Sequence, residues 1–438
     1  FIMIITIIVA AAKLCEKLLR LFGRGATTFP GKLALFLKKD ILSFLSRGVK
    51  VIAVTGTNGK TTTARIIETG LKKAGKSCFL NRSGANLITG VTAAFISNCD
   101  IHGRCRYEYA VLECDENALK KISLYVDAQI LVVTNIFRDQ LDRYGEVSST
   151  LNAIKTGAEN MKNALLILNA DDPLSFSLSR TGRQYVSFGI NKSLSLGGKG
   201  ESEFCVFCST PYNYSFRTYC QLGGFSCPSC GYSREAPDYS AEEIVDETPD
   251  SSTIFAQLRG KSALLPINLG GVYNVYNALA AAAALSECGI LSGCVENTLS
   301  SFGGAFGRME TFGNVRMLLV KNPAGFTQTV NYLKPLKINN LIFVLNDNDA
   351  DGKDVSWIWD AEINIGKNVK NIYTFGIRSG DMALRLKYAG VDVAVIKNYD
   401  QFIKITDEPD TVIVPTYTAM MALRPYFARK FGGKEFWR

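Results

Sequence analysis

A single histidine, His102, is all that 438 residues supply. No Ser-His-Asp or Cys-His triad can be assembled unless His102 is its base, and a zinc site could draw at most one imidazole from this chain. Any metal cage must therefore lean on cysteine or carboxylate. An excess of one charge is equally modest: 49 Lys+Arg against 40 Asp+Glu leave +9, with the two signs interleaved almost everywhere. Such a balance admits anionic ligands without implying nucleic acid.

Long apolar runs are lacking as well. The stretch at residues 1–12 falls short of the ~20 residues that span a bilayer. A secretory signal would carry its positive charge ahead of the apolar run, whereas here Lys13 follows it, so a cytoplasmic protein is expected. Lys17, Arg20 and Arg24 then interleave with Leu14, Leu18, Leu19, Leu21 and Phe22. Two readings stand: an amphipathic helix lying on the inner face of the plasma membrane, or a helix packed on the neighbouring domain.

What is present is ample for a folded enzyme. At roughly 100–200 residues per domain the length suggests two to four domains, and 47% hydrophobic residues can fill their cores. The expected organisation is an N-terminal helical segment over residues 1–48, an ATP-binding domain over 49–306 and a second α/β domain over 307–438.

Eight of the twelve cysteines, Cys220 among them, are scattered singly, which suits reduced thiols in a cytosol. The other four are paired, Cys205 with Cys208 and Cys227 with Cys230, each pair two residues apart and the pairs separated by eighteen. That is zinc-ribbon spacing, two thiolate-bearing knuckles closing one structural Zn2+ site with no open coordination position. The metal would fold an insertion, about residues 200–238, that has no core of its own.

Residues 51–55 read as a buried strand running into Gly56-Thr57-Asn58-Gly59-Lys60-Thr61-Thr62 and then a helix to about Ala74. Strand, glycine loop and helix N-terminus make an anion site: glycines let backbone N–H groups approach phosphate, Lys60 adds a point charge, and the Thr61 hydroxyl suits Mg2+. The loop is shorter than G-x4-G-K-[ST], whose first glycine would fall at Val54. Further strands at residues 108–112, 129–135 and 164–170 alternate with helices, as in a mostly parallel α/β sheet. Their carboxyl ends carry Glu113, Thr134-Asn135 and Asn169-Ala170-Asp171-Asp172, where such sheets bind ligands. Glu113 reads either as a Mg2+ ligand level with the phosphate loop or as a solvated acid.

These residues resemble the Mur ligase family, which includes folylpolyglutamate synthase. The resemblance is carried by the loop of residues 55–63, Glu113, Thr134-Asn135 with Asp139-Gln140-Leu141-Asp142-Arg143-Tyr144-Gly145, Leu168-Asn169-Ala170-Asp171-Asp172-Pro173, and Gly271, Asn274 and Asn277-Ala278-Leu279-Ala280. Members activate a carboxylate with ATP as an acyl phosphate that an amine then displaces. Amino-acid-adding members typically have histidine where Gln140 stands. That departure, the four-cysteine ribbon and the segment from Lys321-Asn322-Pro323-Ala324-Gly325 to Asp360 resemble the ligase subunits of lipid II isoglutaminyl synthases, from Gly25 onward. The resemblance implies amidation of the α-carboxylate of D-glutamate in the lipid II stem peptide to D-isoglutamine, with ammonia from a GatD-like class I glutaminase subunit in a heterodimer. It implies that Asp354 is the catalytic acid, that Arg308 reaches the nucleotide across the cleft, and that Asn274 and Asn277 lie on the adenine side.

Read alone, residues 341–345 form a strand delivering Asp347, Asp349, Asp351, Asp354 and Asp360. Such a cluster suits a divalent-metal loop, a site for an ammonium-like group, or solvated turn acids; Ile358 where a calcium loop needs its last acid argues against calcium. Further strands are expected at residues 372–377, 391–396 and 411–415.

The lone histidine bears on mechanism. His102 lies in a polar turn with Cys105 as its near cysteine and no nucleophile-elbow context, so glutamine hydrolysis would fall to another chain. Two rivals to the amidase remain: a Mur or folylpolyglutamate-type ligase adding an amino acid directly, and a nucleic-acid-binding zinc protein. The second is disfavoured, because residues 203–235 hold two basic residues, Arg217 and Arg234.

Overall fold

A computed structural model of the chain describes residues 2–21, 27–81, 84–138, 147–194, 197, 200, 202–303 and 309–432. Arg308, the motif of residues 139–145 and the expected domain boundary near residue 306 lie outside them. Two sheets organise the molecule. The first contains β1 (Lys50–Thr55), β2 (Cys78–Leu80), β3 (Tyr109–Glu113), β4 (Ile130–Val133), β5 (Leu165–Asn169) and β6 (Tyr185–Ile190). After the small hairpin β7 (Asn213–Arg217) and β8 (Gly223–Ser226), it continues with β9 (Tyr239–Glu247), β10 (Ser252–Leu258) and β11 (Lys261–Ile267). Its order is β11-β10-β9-β6-β5-β4-β1-β3-β2. Pairings from β2 to β9 are parallel, while β10 runs antiparallel to both β9 and β11.

The composition of β1 explains its central place. Val51 and Ala53 enter one core, shared with Ile5, Val91 and Leu119, while Ile52 and Val54 enter the other, shared with Val275 and Ala278 of the Val272–Glu287 helix. A strand buried on both faces reads as a continuous apolar run, as this one does. Because β4 and β3 flank β1 on opposite sides, the carboxyl end of β1 opens into a crevice, the place where such sheets bind ligands.

The second sheet has the order β12-β13-β17-β14-β15-β16, built from β12 (Glu310–Phe312), β13 (Val315–Met317), β14 (Ile338–Val344), β15 (Val369–Phe375), β16 (Ala394–Val395) and β17 (Thr411–Pro415). Its pairs are parallel except β12 with β13. The strand expected at residues 391–396 contracts to the two residues of β16. It is an edge strand paired with β15 alone and both its side chains are exposed, so no burial rewards extending it.

The N-terminal helix, Ile2–Leu21, buries Ile5, Ile8, Val9 and Ala12 against the first domain's core, so the packed reading holds for that face. Among the described residues no helix is long and apolar enough to cross a membrane. His102 closes the turn beneath this helix, its ring Nδ1 3.2 Å from Thr6 Oγ1, while Asp100 Oδ1 accepts the backbone N–H of His102 and Arg104.

Candidate active site and zinc ribbon

The loop after β1 is gripped by the end of β4. Asn58 N–H donates to Asn135 Oδ1 at 2.9 Å, the Thr134 hydroxyl donates to Asn58 O at 2.7 Å, and Thr57 N–H donates to Asn135 O at 2.8 Å. Two glycines are dictated by crowding and backbone geometry together. Gly56 has φ +117° and an added Cβ would lie 2.4 Å from Thr134 Oγ1; Gly59 has φ +89° and its Cβ would lie 2.0 Å from Asn277 Oδ1. Thus Asn277, expected on the adenine side, stands directly against the phosphate loop. It is held there by donating to Asn274 Oδ1 at 3.1 Å, while Asn274 donates to Gly270 O at 2.8 Å.

Gly59 leads into the Lys60–Lys73 helix, whose first turn buries Lys60, Thr61 and Thr62. Lys60 Nζ lies 2.9 Å from Glu116 Oε1 and also donates to Gly56 O. Burial by itself would push the Lys60 ammonium down, yet Glu116, Asp115 and Glu113 together hold it above its usual value, so it stays charged at any working pH. Glu116 was not anticipated from the sequence. Its signal is faint, an acid three residues past the β3 strand end, and Asp115 before it caps the Glu116–Ile122 helix by accepting from Asn117 and Ala118 N–H. Glu113 is buried at the end of β3, in register with Val54, and its charge reaches both Lys60 and Arg65.

Gly56, Thr57, Asn58, Gly59, Lys60, Thr61, Thr62, Glu113, Asn274 and Asn277 therefore converge at one end of the first sheet. A cleft beside them is walled by Asn58, Gly59, Thr62, Tyr219, Tyr273 and Leu269 on one side and by Lys321, Ala324, Gly325 and Gln328 from the second domain on the other. Asn322 crosses the divide. Its Nδ2 donates to Asn58 Oδ1 at 3.0 Å while its Oδ1 caps the Pro323–Leu333 helix by accepting from Gly325 N–H at 2.8 Å. Glycine cradle, buried ammonium and helix N-terminus fit a nucleotide's phosphates, and Thr61 with Glu113 offers oxygen ligands that fit Mg2+.

The acid-rich segment after β14 does not gather into a metal loop. Asp347 lies 3.0 Å from Arg378, Asp349 lies 3.0 Å from Lys353, Asp351 accepts from Thr418 N–H at 2.8 Å, and Asp360 lies 2.9 Å from Arg138. Each is spent on a different partner, shaping the loop. Asp354 Oδ1 accepts from Ser356 N–H at 2.8 Å, and the Ser356 hydroxyl first, then this N–H and the nearby charge of Arg138, hold its carboxyl below the usual range. It does not line the cleft just described. It stands by Arg138, the last described residue before the segment 139–146.

Among the described residues one group of metal-ligating side chains converges: the sulfurs of Cys205, Cys208, Cys227 and Cys230, all within 4.8 Å of one another. Cys205 and Cys230 Sγ are 3.5 Å apart, and Cys208 and Cys227 Sγ 3.4 Å. A tetrahedron with ~2.3 Å Zn–S bonds places its sulfurs about 3.8 Å apart, so the four thiols fit zinc with little adjustment. Each knuckle closes by the same bond: Ser209 N–H donates to Cys205 O, and Gly231 N–H to Cys227 O.

The ribbon is not a detached appendage. Arg234 Nε lies 2.6 Å from Asp171 Oδ1, Tyr276 OH donates to Asp171 Oδ2 at 2.6 Å, and Tyr232 OH donates to Pro173 O at 2.7 Å. Gln221, at the tip between β7 and β8, donates to Ile136 O at 2.7 Å and to Asp172 Oδ1 at 3.0 Å. Burial pushes the Asp172 carboxyl up to about 6 despite the donors around it. Tyr219, beside Gln221, stacks on Phe137 with ring centroids 6.1 Å apart and lines the cleft.

Comparison with known proteins places this architecture. The family model for the Mur ligase middle domain matches residues 54–209, and that for the MurT ligase C-terminal matches residues 319–420. The MurT subunit of the glutamine-hydrolysing lipid II isoglutaminyl synthase of Streptococcus pneumoniae is 35% identical over 93% of this chain and 93% of its own length. The MurT subunit of Staphylococcus aureus strain COL is 32% identical, covering 97% of this chain and 98% of its own. Among solved structures, a pseudomurein peptide ligase type C from Methanothermus fervidus superimposes with a TM-score of 0.67 at 22% identity, over 90% of this chain and 80% of that one, a likeness of fold.

Proposed function

The chain belongs to the MurT family of Mur ligase-type proteins, and from that premise we propose that it amidates the α-carboxylate of D-glutamate in the stem peptide of lipid II. It is an ATP-dependent carbon–nitrogen ligase of peptidoglycan synthesis. The reading rests on one observation above others: similarity to glutamine-hydrolysing isoglutaminyl synthase subunits runs through the nucleotide loop, the ribbon and the Asp354 segment alike, over 93% of both chains.

ATP bound with Mg2+ supplies the phosphoryl group that turns the carboxylate into an acyl phosphate, from which ammonia displaces inorganic phosphate to leave the amide and ADP. The loop from Gly56 to Thr62 would hold the phosphates, Lys60 exchanging its contact with Gly56 O for a phosphate oxygen, and Thr61 with Glu113 would hold Mg2+. Asn274 and Asn277 would fix the nucleotide beside the loop, with Arg308 reaching it from the second domain. Asp354, kept ionised, would orient the incoming ammonium and take its proton, freeing the nitrogen lone pair with which ammonia attacks the acyl phosphate. The four cysteines would hold structural Zn2+. The nitrogen would come from a GatD-like class I glutaminase subunit forming a heterodimer with this one, in the cytoplasm at the inner face of the plasma membrane, where lipid II is anchored; nucleic acid has no part.

Incubation of the purified chain with ATP, Mg2+ and lipid II, supplied either with ammonium or with free amino acids, tests the reading. Amidated lipid II with ammonium is expected. Product with an amino acid and none with ammonium would instead favour a direct amino-acid ligase.

A further inference from the structure

The face of the Ile2–Leu21 helix turned away from the protein is as apolar as the face that packs. Ile5, Ile8, Val9 and Ala12 are buried, while Met3, Ile7, Leu14 and Leu21, three or four residues apart or multiples of it, stand on the outer side with Met3 73%, Ile7 61% and Leu21 79% exposed. A helix partnered on one face and solvated on the other puts polar residues on the second. This one does not, and the adjoining Phe29–Leu37 helix, which packs on it, leaves Phe36 84% exposed four residues from exposed Lys32. Surface this apolar marks a contact.

Charge identifies the partner. Residues 1–50 contain nine Lys+Arg and two acids, and 9 − 2 gives +7, most of the +9 carried by the whole chain. One of the two acids, Glu16, is buried and paired with Arg20, so little negative charge faces outward. A second copy of this chain would bring two such surfaces together and is opposed by their repulsion. Exposed apolar side chains with the exposed Lys17 and Lys32 on the same two helices match instead a bilayer with anionic headgroups, into which apolar residues insert about 5–10 Å while the basic residues stay at phosphate level.

We propose that the outer face of the Ile2–Leu21 helix, with Phe36 and Lys32 beside it, docks the enzyme on an anionic phospholipid surface. The proposal rests on the reading that the substrate is a lipid-anchored muropeptide, since docking would then hold the enzyme on the surface in which the substrate is anchored. The helix is held rigid by its packed face, so binding orders no new structure.

Flotation of the full chain with phosphatidylcholine vesicles, with and without phosphatidylglycerol, tests the proposal. Binding that needs phosphatidylglycerol and fades with added salt is expected, and the double variant Ile7→Glu, Leu14→Glu should weaken it by at least about tenfold. The melting temperature and the amidation of a soluble, lipid-free muropeptide by ammonium should stay as in the parent chain. Absence of phosphatidylglycerol-dependent binding, or undiminished binding by the double variant, would overturn the proposal. So would a parent chain that is dimeric in solution and becomes monomeric in the double variant, which would assign the face to a second copy. A parent chain that floats with vesicles but fails to amidate the soluble muropeptide would count against the amidation reading while leaving the docking surface standing.

Discussion

Gly59 and Asp354 are single positions whose neighbours make distinct demands. Gly59 needs both a left-handed backbone and an empty Cβ position, because Asn277 Oδ1 occupies the space a methyl group would take. Gly59→Ala should therefore cost on the order of 1–3 kcal/mol in thermal unfolding and weaken nucleotide binding in a fluorescence titration. Adding Asn277→Ala should recover part of the stability by removing the clash, leaving the backbone strain. Asp354 makes the opposite kind of demand. Its Oδ1 accepts from Ser356 N–H, and asparagine can accept the same bond. Asp354→Asn should accordingly keep the fold and the nucleotide affinity, yet lower ammonium-dependent amidation by about 10²–10⁴-fold. Lost nucleotide binding would reassign Asp354 to folding. Because Ser356 and Arg138 depress its pKa, Asp354 remains ionised as pH falls through the ordinary carboxylate value of ~3.9 and loses its charge only below it. No acid limb from Asp354 should therefore appear in the rate profile between roughly pH 5 and 7.

At the scale of elements, the zinc ribbon divides what the sequence discloses from what it hides. Paired cysteines two residues apart, with a glycine after Cys230 supplying the left-handed turn, announce the knuckles, because metal geometry is local. The docking of the ribbon tip is not announced. It depends on Arg234 meeting Asp171 sixty-three residues away and on Gln221 meeting Ile136 eighty-five residues away, pairings that no spacing encodes. Tyr219 is thereby carried into the nucleotide cleft, and nothing distinguishes it beforehand from the other tyrosines of that segment. On the proposed reading, a structural zinc at the four cysteines would therefore bear on ligand binding. Stripping zinc with a zinc-selective chelator while Mg2+ is kept in excess should release the ribbon and weaken nucleotide affinity by roughly tenfold. Tyr219→Ala should do the same with zinc retained, and Tyr219→Phe, which keeps the ring stacked on Phe137, should not. Unchanged affinity on zinc removal would confine the ribbon to its own stability.

Across the whole molecule, the parallel sheets and the phosphate loop are legible because buried strands, glycines and helix starts obey short-range rules. The closure of one domain on the other is not, since Asn322, which caps the helix beginning at Pro323, also bonds Asn58, 264 residues away, a pairing that no spacing encodes. The lone histidine falls between these cases. Its rarity was plain at the outset, and its place adds the physical reason that it cannot serve a glutaminase. The His102 ring faces Thr6 on the N-terminal helix, and the Cys105 thiol is turned toward Asn98 O at 3.7 Å, so the two do not form a nucleophile and base. The chain given glutamine as its sole nitrogen source should therefore make no amidated lipid II, while the same preparation given ammonium should. Adding a class I glutaminase subunit should restore the use of glutamine, and His102→Ala should alter none of the three results. Amidation from glutamine by the chain alone, abolished in His102→Ala, would place both half-reactions in one polypeptide and sink the division of labour. On the proposed division of labour the ammonia would travel from the partner to the acyl phosphate, and the surface near Arg138 and Asp354 is where it would arrive.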